Sequence, residues 1–126
     1  MTASTLLLVA ALAAFGVGVA HSVLGEKYIL MRLFRRPDLP KLFGDSTFTT
    51  RTLRFAWHLT TIAWWGFAAM LLLASRDALS PENALQALAV TMLATGATIL
   101  FASRGRHPAW PVFAAIGWIA LYAPRM

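Results

Sequence analysis

Residues 55–74 read FAWHLTTIAWWGFAAMLLLA, a run of twenty residues in which His58 is the only ionisable side chain. A helix of this length crosses the roughly 30 Å hydrocarbon core of a bilayer. The whole chain of 126 residues is 59% hydrophobic and 13% charged, whereas a soluble domain carries about a quarter charged residues. The sequence therefore predicts a membrane protein and argues against a soluble globular domain.

Three further apolar stretches flank this one, so we predict an all-α polytopic protein whose four transmembrane helices form a bundle. The predicted spans cover about 5–25, 55–74, 84–102 and 108–123, and the last is the shortest. Together they make one transmembrane domain, 1–126. The first span is also compatible with a signal peptide, but residues 1–5 lack the basic start that such a peptide has. The chain contains no cysteine, which excludes disulfides and cysteine-ligated metals.

The basic residues are distributed unevenly between the predicted spans. Nine of the eleven lie in two connections: seven in the basic loop 26–54, and two, Arg104 and Arg106, in the third connection. Because positive loops stay in the cytoplasm, both termini are predicted outside. This pattern predicts a multi-pass protein of the bacterial inner membrane, in contact with anionic headgroups at the cytoplasmic face, and it accounts for the net charge without nucleic acid.

The long first connection has internal signals of its own. Residues after Glu26 can continue the first helix until Pro37 disfavours helical geometry, and Asp45 or Ser46 can cap a second helix that starts before its membrane span. In the second connection, Ser80 precedes Pro81 as a cap would.

The three histidines are all predicted to lie in the cytoplasmic leaflet. His21 is near the end of the first span, His58 near the start of the second, and His107 just before the fourth. Ionisable side chains at membrane depth are costly unless they are paired, and they are candidates for function. His21 shares a helix face with Gly18 and Gly25, which permits close packing. We therefore predict that His21 and His58 meet in one polar pocket.

Two kinds of cofactor fit such a pocket. Neutral imidazoles with a carboxylate can bind a transition metal, and His21 and His58 on facing helices can supply two axial ligands to haem. The candidate metal ligands are His21, His58, His107 and Glu26; the polar residues expected around them are Ser22, Arg51, Arg54 and Thr61. The alternative is that these histidines are structural and bind helix carbonyls or Thr61.

Three functions remain open at this stage. The leading hypothesis is a binding or accessory protein with a histidine-containing polar site near the cytoplasmic face. The second is a membrane enzyme or electron-transfer protein that uses a metal or haem. The third is a structural subunit whose small-residue faces bind other membrane proteins or a second copy of the chain.

Four strings resemble a family of small bacterial integral membrane proteins: AHSVLGEKYIL, RLFRRPDLPKLFG, RFAWHLTTIAWWGF and RGRHPAWP. The resemblance covers most of the chain. It implies a four-helix protein of the inner membrane. It implies no particular activity, cofactor or site residue.

Overall fold

The computed structural model describes residues 1–123, which form four helices joined by one long and two short connections. The first helix is continuous but changes type, from α1 through a π-helical segment to the short α2. The elements are α1 (Ala3–Leu24), the π-helical segment (Gly25–Leu30), α2 (Met31–Leu33), α3 (Thr47–Ser75), α4 (Pro81–Ser103) and α5 (Trp110–Tyr122). The predicted all-α fold is confirmed, and both ends of the predicted loop 26–54 are helical.

Three of these helices are long and apolar enough to cross a membrane: Ala3–Leu33, Thr47–Ser75 and Pro81–Ser103. Large apolar side chains cover their outer faces, such as Leu12, which is 64% exposed, and Phe101, which is 78% exposed. Lipid is the environment in which such a surface is stable. The helix predicted at 108–123 is shorter than a full span, because the 13 residues of α5 extend only about 20 Å.

Polar groups at the helix ends follow the capping signals of the sequence. The Ser80 hydroxyl accepts the Asn83 backbone N–H at 3.1 Å, and Pro81 opens α4. At the start of α3, the Asp45 carboxylate accepts the Thr47 backbone N–H at 2.8 Å. This hydrogen bond holds the pKa of Asp45 below its ordinary value. Of the two caps predicted for α3, it is Asp45 that binds an N–H of the first turn.

The helices pack in chain order: α1 on α3, α3 on α4, and α4 on α5. Glycines allow the close approaches, as expected where helices associate in lipid. A Cβ atom on Gly96 would come within 3.1 Å of the Trp110 carbonyl oxygen of α5, and one on Gly18 within 2.7 Å of the Trp65 indole of α3. Helix α3 thus contacts both α1 and α4, and its contact with α1 contains the candidate site.

Candidate functional site between α1 and α3

Glu26 connects two basic side chains of α3. Its Oε1 atom is 3.0 Å from the Arg54 guanidinium, and its Oε2 atom is 3.3 Å from Nε2 of His58. The Arg54 guanidinium also lies over the Phe34 ring, 4.9 Å from the centroid. The Glu26 and His58 side chains are about one-third exposed, so this end of the site is open to solvent or headgroups.

The hydrogen-bonded series continues from His58 into the α1–α3 interface. Nδ1 of His58 is 2.8 Å from the Ser22 hydroxyl, which is 2.7 Å from the Thr61 hydroxyl. Thr61 is buried, and its hydroxyl donates to the Gly18 carbonyl at 3.1 Å. We call the five side chains Arg54, Glu26, His58, Ser22 and Thr61 the polar chain. It crosses between the two helices four times, and every member has a partner.

The π-helical segment explains how Glu26 is placed. It begins at Gly25, and the Met31 N–H bonds to the Glu26 carbonyl five residues back. Single π-helical turns inside α-helices are frequent at functional sites. The helix does not break at Gly25, and Glu26 joins Ser22 on the α3-facing side rather than joining His21.

His21 and Trp57 form a second, separate contact between the same helices. Their rings stack at 4.5 Å with a 2° interplanar angle. Nε2 of His21 donates to the Trp57 carbonyl at 3.3 Å, while the Trp57 indole N–H donates to the His21 carbonyl at 3.1 Å. Because a carbonyl only accepts, Nε2 carries the hydrogen, and the neutral ring keeps Nδ1 as an acceptor.

The same reasoning assigns the hydrogens of the polar chain. Glu26, paired with Arg54, acts as an acceptor, so Nε2 of His58 donates to it and Nδ1 of the neutral ring accepts from Ser22. If Nδ1 gains a proton, the Ser22 hydroxyl can turn to donate to Thr61, which donates to Gly18. With Nδ1 unprotonated, the single hydrogens of Ser22 and Thr61 go to His58 and to the Gly18 carbonyl, and none lies between the two hydroxyls. A proton on Nδ1 therefore completes the series of hydrogen bonds.

The order Ser22, His58, Glu26 is that of a hydrolase triad, but its surroundings do not fit acyl transfer. Ser22 lies inside α1, where backbone N–H groups are bonded along the helix, so no adjacent donors are available for an oxyanion. Its hydroxyl is also bonded to Thr61. The arrangement is suited to holding a proton between fixed hydrogen-bond partners, and it does not present an exposed nucleophile.

The structure joins five of the eight predicted site residues in the polar chain, places His21 in a separate contact at the same interface, and places two elsewhere. Nδ1 of His107 accepts the Ala109 N–H at 3.3 Å, and its ring packs against Phe48 and Phe55. Arg51 lies with residues of the first and third connections. His107 thus organises the start of α5, and it does not join the other histidines.

His21 and His58, which were predicted to meet in one polar pocket, bond to different partners. His21 bonds to Trp57, whereas the next residue, Ser22, bonds to His58. Neighbouring residues on a helix diverge by about 100°, so two adjacent positions contact two different parts of α3. Among residues 1–123, no group of three or more His, Asp or Glu side chains is placed to hold a metal ion.

Sequence reasoning missed the role of the tryptophans. The rings of Trp57 and Trp64 both contact His21, with centroids 4.5 and 4.9 Å from that of the imidazole. The glycines of the first helix could have indicated the position of Trp57. Gly25 belongs to a small-residue stripe, and a small residue in one helix leaves room for a large one in its neighbour.

A groove of about 450 Å³ opens beside this pair; we call it the His21 groove. Its walls are mostly apolar and aromatic, and it lies on the α1–α3 surface next to the polar chain. It is lined by Val17, Ala20, His21, Leu24, Gly25, Tyr28, Ile29, Trp57 and Trp64. Its volume is within the range of small-molecule sites, about 300–1,000 Å³.

No protein-family model, curated protein or solved structure matches this chain.

Proposed function

We propose that this protein is a small binding protein of the bacterial inner membrane whose histidine-containing site binds a membrane-soluble molecule. The site lies at the end of α1 and the beginning of α3, next to the connection that carries most of the basic residues. Positive charge of this kind favours the cytoplasmic side. With α1, α3 and α4 as full spans, this side is the cytoplasmic one and the N-terminus is outside.

The observation that carries the proposal is the state of His21. Its Nε2 atom is committed to Trp57, and within residues 1–123 its Nδ1 atom has no hydrogen-bond partner. The ring also lines the groove. We place Nδ1 in the groove, where a polar acceptor among mostly apolar walls would fix the orientation of a ligand, as in most small-molecule sites.

The groove defines the chemical class of the ligand. Its aromatic rings, Tyr28, Trp57 and Trp64, favour a planar ring, which gains both burial and offset stacking. His21 Nδ1 favours a donor on that ring, such as a phenolic hydroxyl. The open, lipid-facing side of the groove suits an apolar tail. We therefore propose a ring-bearing, hydroxylated lipid as the ligand, with the adjacent polar chain as a reservoir for one proton.

Two alternatives make different demands on the same residues. A metal ion needs converging ligands, and the described residues supply no set of three, so it would require a second copy of the chain. Haem held by two histidines would need His21 and His58 to face each other, and they bond to different partners instead. A structural subunit would use the exposed apolar faces and would need neither the free Nδ1 atom nor the groove.

The test is to identify what purifies with the protein. Membranes are extracted with a lipid-retaining copolymer, and the extract of the purified protein is analysed by mass spectrometry, metal analysis and absorption spectroscopy. Wild type should retain a ring-bearing hydroxylated lipid. His21→Phe keeps a ring to stack on Trp57 but removes the acceptor, and it should lose that lipid.

His107→Phe is the matched control, because His107 packs between two phenylalanines outside the groove. It should retain the lipid. Equal retention by His21→Phe and wild type, or the absence of any such lipid from wild type, contradicts the proposal. A bound metal or haem would favour the second alternative, and a co-purified membrane helix the third.

A further inference from the structure

A second cavity, distant in sequence from the His21 groove, lies where the first and third connections meet. It has a volume of about 530 Å³, and three arginines line it: Arg51 from α3, and Arg104 and Arg106 from the third connection. Among residues 1–123, none of the three forms an ion pair with a carboxylate. Arg51 and Arg106 act on the nearby Asp45 carboxylate and help to lower its pKa, but no close ion pair within the described residues occupies them, and three guanidinium groups around one cavity attract an anion.

Asp45 is the acidic residue that lines this cavity. Its carboxylate accepts the Thr47 N–H and so belongs to the cap of α3. Against three arginines, one carboxylate leaves the lining with a net charge of two positive units. The positive end of the α3 dipole adds to this potential, since Thr47 and Phe48 of its first turn also line the cavity.

An unusual turn adds an apolar wall. The Leu42 N–H bonds to the Asp45 carbonyl at 3.0 Å, and the two central residues, Phe43 and Gly44, have φ values of 60° and 99°. Positive φ is costly for a bulky residue such as phenylalanine, and glycine or asparagine is the usual choice in such a turn. Phe43 is nevertheless 89% exposed at the tip. An exposed aromatic side chain at the end of membrane-length helices is suited to the headgroup region.

We infer that this cavity is a phosphate-binding site for an anionic lipid. The guanidinium groups of Arg51, Arg104 and Arg106 donate to the phosphate oxygens, a geometry in which arginine binds more specifically than lysine. Phe43 and Leu42 contact the glycerol and the start of the acyl chains. The site joins the first connection to the third, so an occupied site also links α3 to the end of α4.

The test is lipid binding measured by native mass spectrometry in neutral detergent, with phosphatidylglycerol and phosphatidylcholine as probes. Wild type should bind one phosphatidylglycerol in preference to phosphatidylcholine. Replacing the three arginines together, as Arg51→Gln, Arg104→Gln and Arg106→Gln, should weaken phosphatidylglycerol binding by about tenfold or more.

The control removes the same charge from the same face of the protein. The control variant carries Lys27→Gln, Arg32→Gln and Arg35→Gln, at positions outside the cavity. It should change the affinity for phosphatidylglycerol less than about twofold, because distant charges have a modest effect. If both triple variants weaken binding equally, the attraction is nonspecific and the inference is wrong. It is also wrong if wild type binds the two lipids equally.

Two single variants sharpen the result. Asp45→Asn retains a side-chain oxygen for the Thr47 N–H but removes the competing charge, so it should tighten phosphatidylglycerol binding. Phe43→Ser should weaken the binding of phosphatidylglycerol. It should leave unchanged the ability of inorganic phosphate to displace the bound lipid. If inorganic phosphate at millimolar concentration displaces the lipid completely and Phe43→Ser has no effect, the site is one for a free anion and the lipid assignment is overturned.

Discussion

The two faces of α3 are built from different chemistry. Towards α1, hydroxyl, imidazole and indole groups bond across the interface, as Thr61 does to Gly18 and Trp65 to the Phe15 carbonyl. Towards α4, Gly66 of α3 lies against Thr91, and the Thr91 hydroxyl donates to the Ala87 carbonyl of its own helix. Polar groups that bond within a helix add little to its association with another. Among residues 1–123, the side-chain hydrogen bonds of α3 to a neighbouring helix therefore go to the first helix, which is the side where we propose the site.

The largest loss of stability should come from a substitution that fills the space occupied by the Trp57 ring. A Cβ atom at Gly25 would overlap the Trp57 indole, which cannot move without losing its stack on His21 and its bond to the His21 carbonyl. Gly25→Ala should therefore lower the free energy of unfolding by about 1–3 kcal/mol, the usual cost of overpacking. Unfolding by sodium dodecyl sulfate in mixed micelles measures it.

Gly16 provides the control for this prediction. It lies in the same helix, and a Cβ atom there meets nothing within 4 Å. Gly16→Ala should leave the protein unchanged or slightly more stable, since alanine favours a helix by up to about 1 kcal/mol over glycine. Equal destabilisation by the two substitutions would mean that Gly25 is not a contact point.

Two threonine substitutions with smaller effects on stability distinguish the α1–α3 interface from the α3–α4 interface. Thr61→Val removes the buried hydroxyl between Ser22 and Gly18 while keeping the side-chain shape. It should cost roughly 1 kcal/mol, because hydrogen bonds between membrane helices are individually modest. Thr91→Val removes a hydroxyl bonded within α4 and should cost less than about 0.5 kcal/mol. If Thr91→Val is the more damaging of the two, the contrast between the faces of α3 is wrong.

The sequence predicted the parts of this molecule that depend on composition and periodicity. Apolar runs without charge gave the helices, and Ser80 before Pro81 gave the start of α4, because these features act within a few residues. Ser22, Glu26, His58 and Thr61 were selected because polar side chains are rare within apolar helices. Their grouping followed from the helix faces they share.

What the sequence did not predict depends on long-range geometry. The π-helical segment after Leu24 sets the direction of Glu26, and nothing in GEKYIL marks it. The pairing of His21 with Trp57, rather than with His58, follows from the register between α1 and α3, which a list of shared faces does not fix. His107 lies at the same predicted depth as the other histidines, but it is placed by Phe48 and Phe55.

Nitrogen-15 NMR of the three histidine rings in lipid bilayers tests the central claim most directly. The claim is that His21 bonds to Trp57 of α3, that His58 bonds to Ser22 and Glu26 of the first helix, and that His21 keeps a free acceptor for a ligand. Single substitutions assign the three signals, and a phenol with an alkyl chain serves as the probe for the groove.

The neutral His21 ring should carry its hydrogen on Nε2, and the probe should move the Nδ1 signal of His21 while leaving that of His107 in place. An Nδ1–H tautomer for His21 would contradict the account, because it would remove the acceptor from the groove. A probe that shifts His107 as much as His21 would contradict it as well, since His107 lies outside the groove.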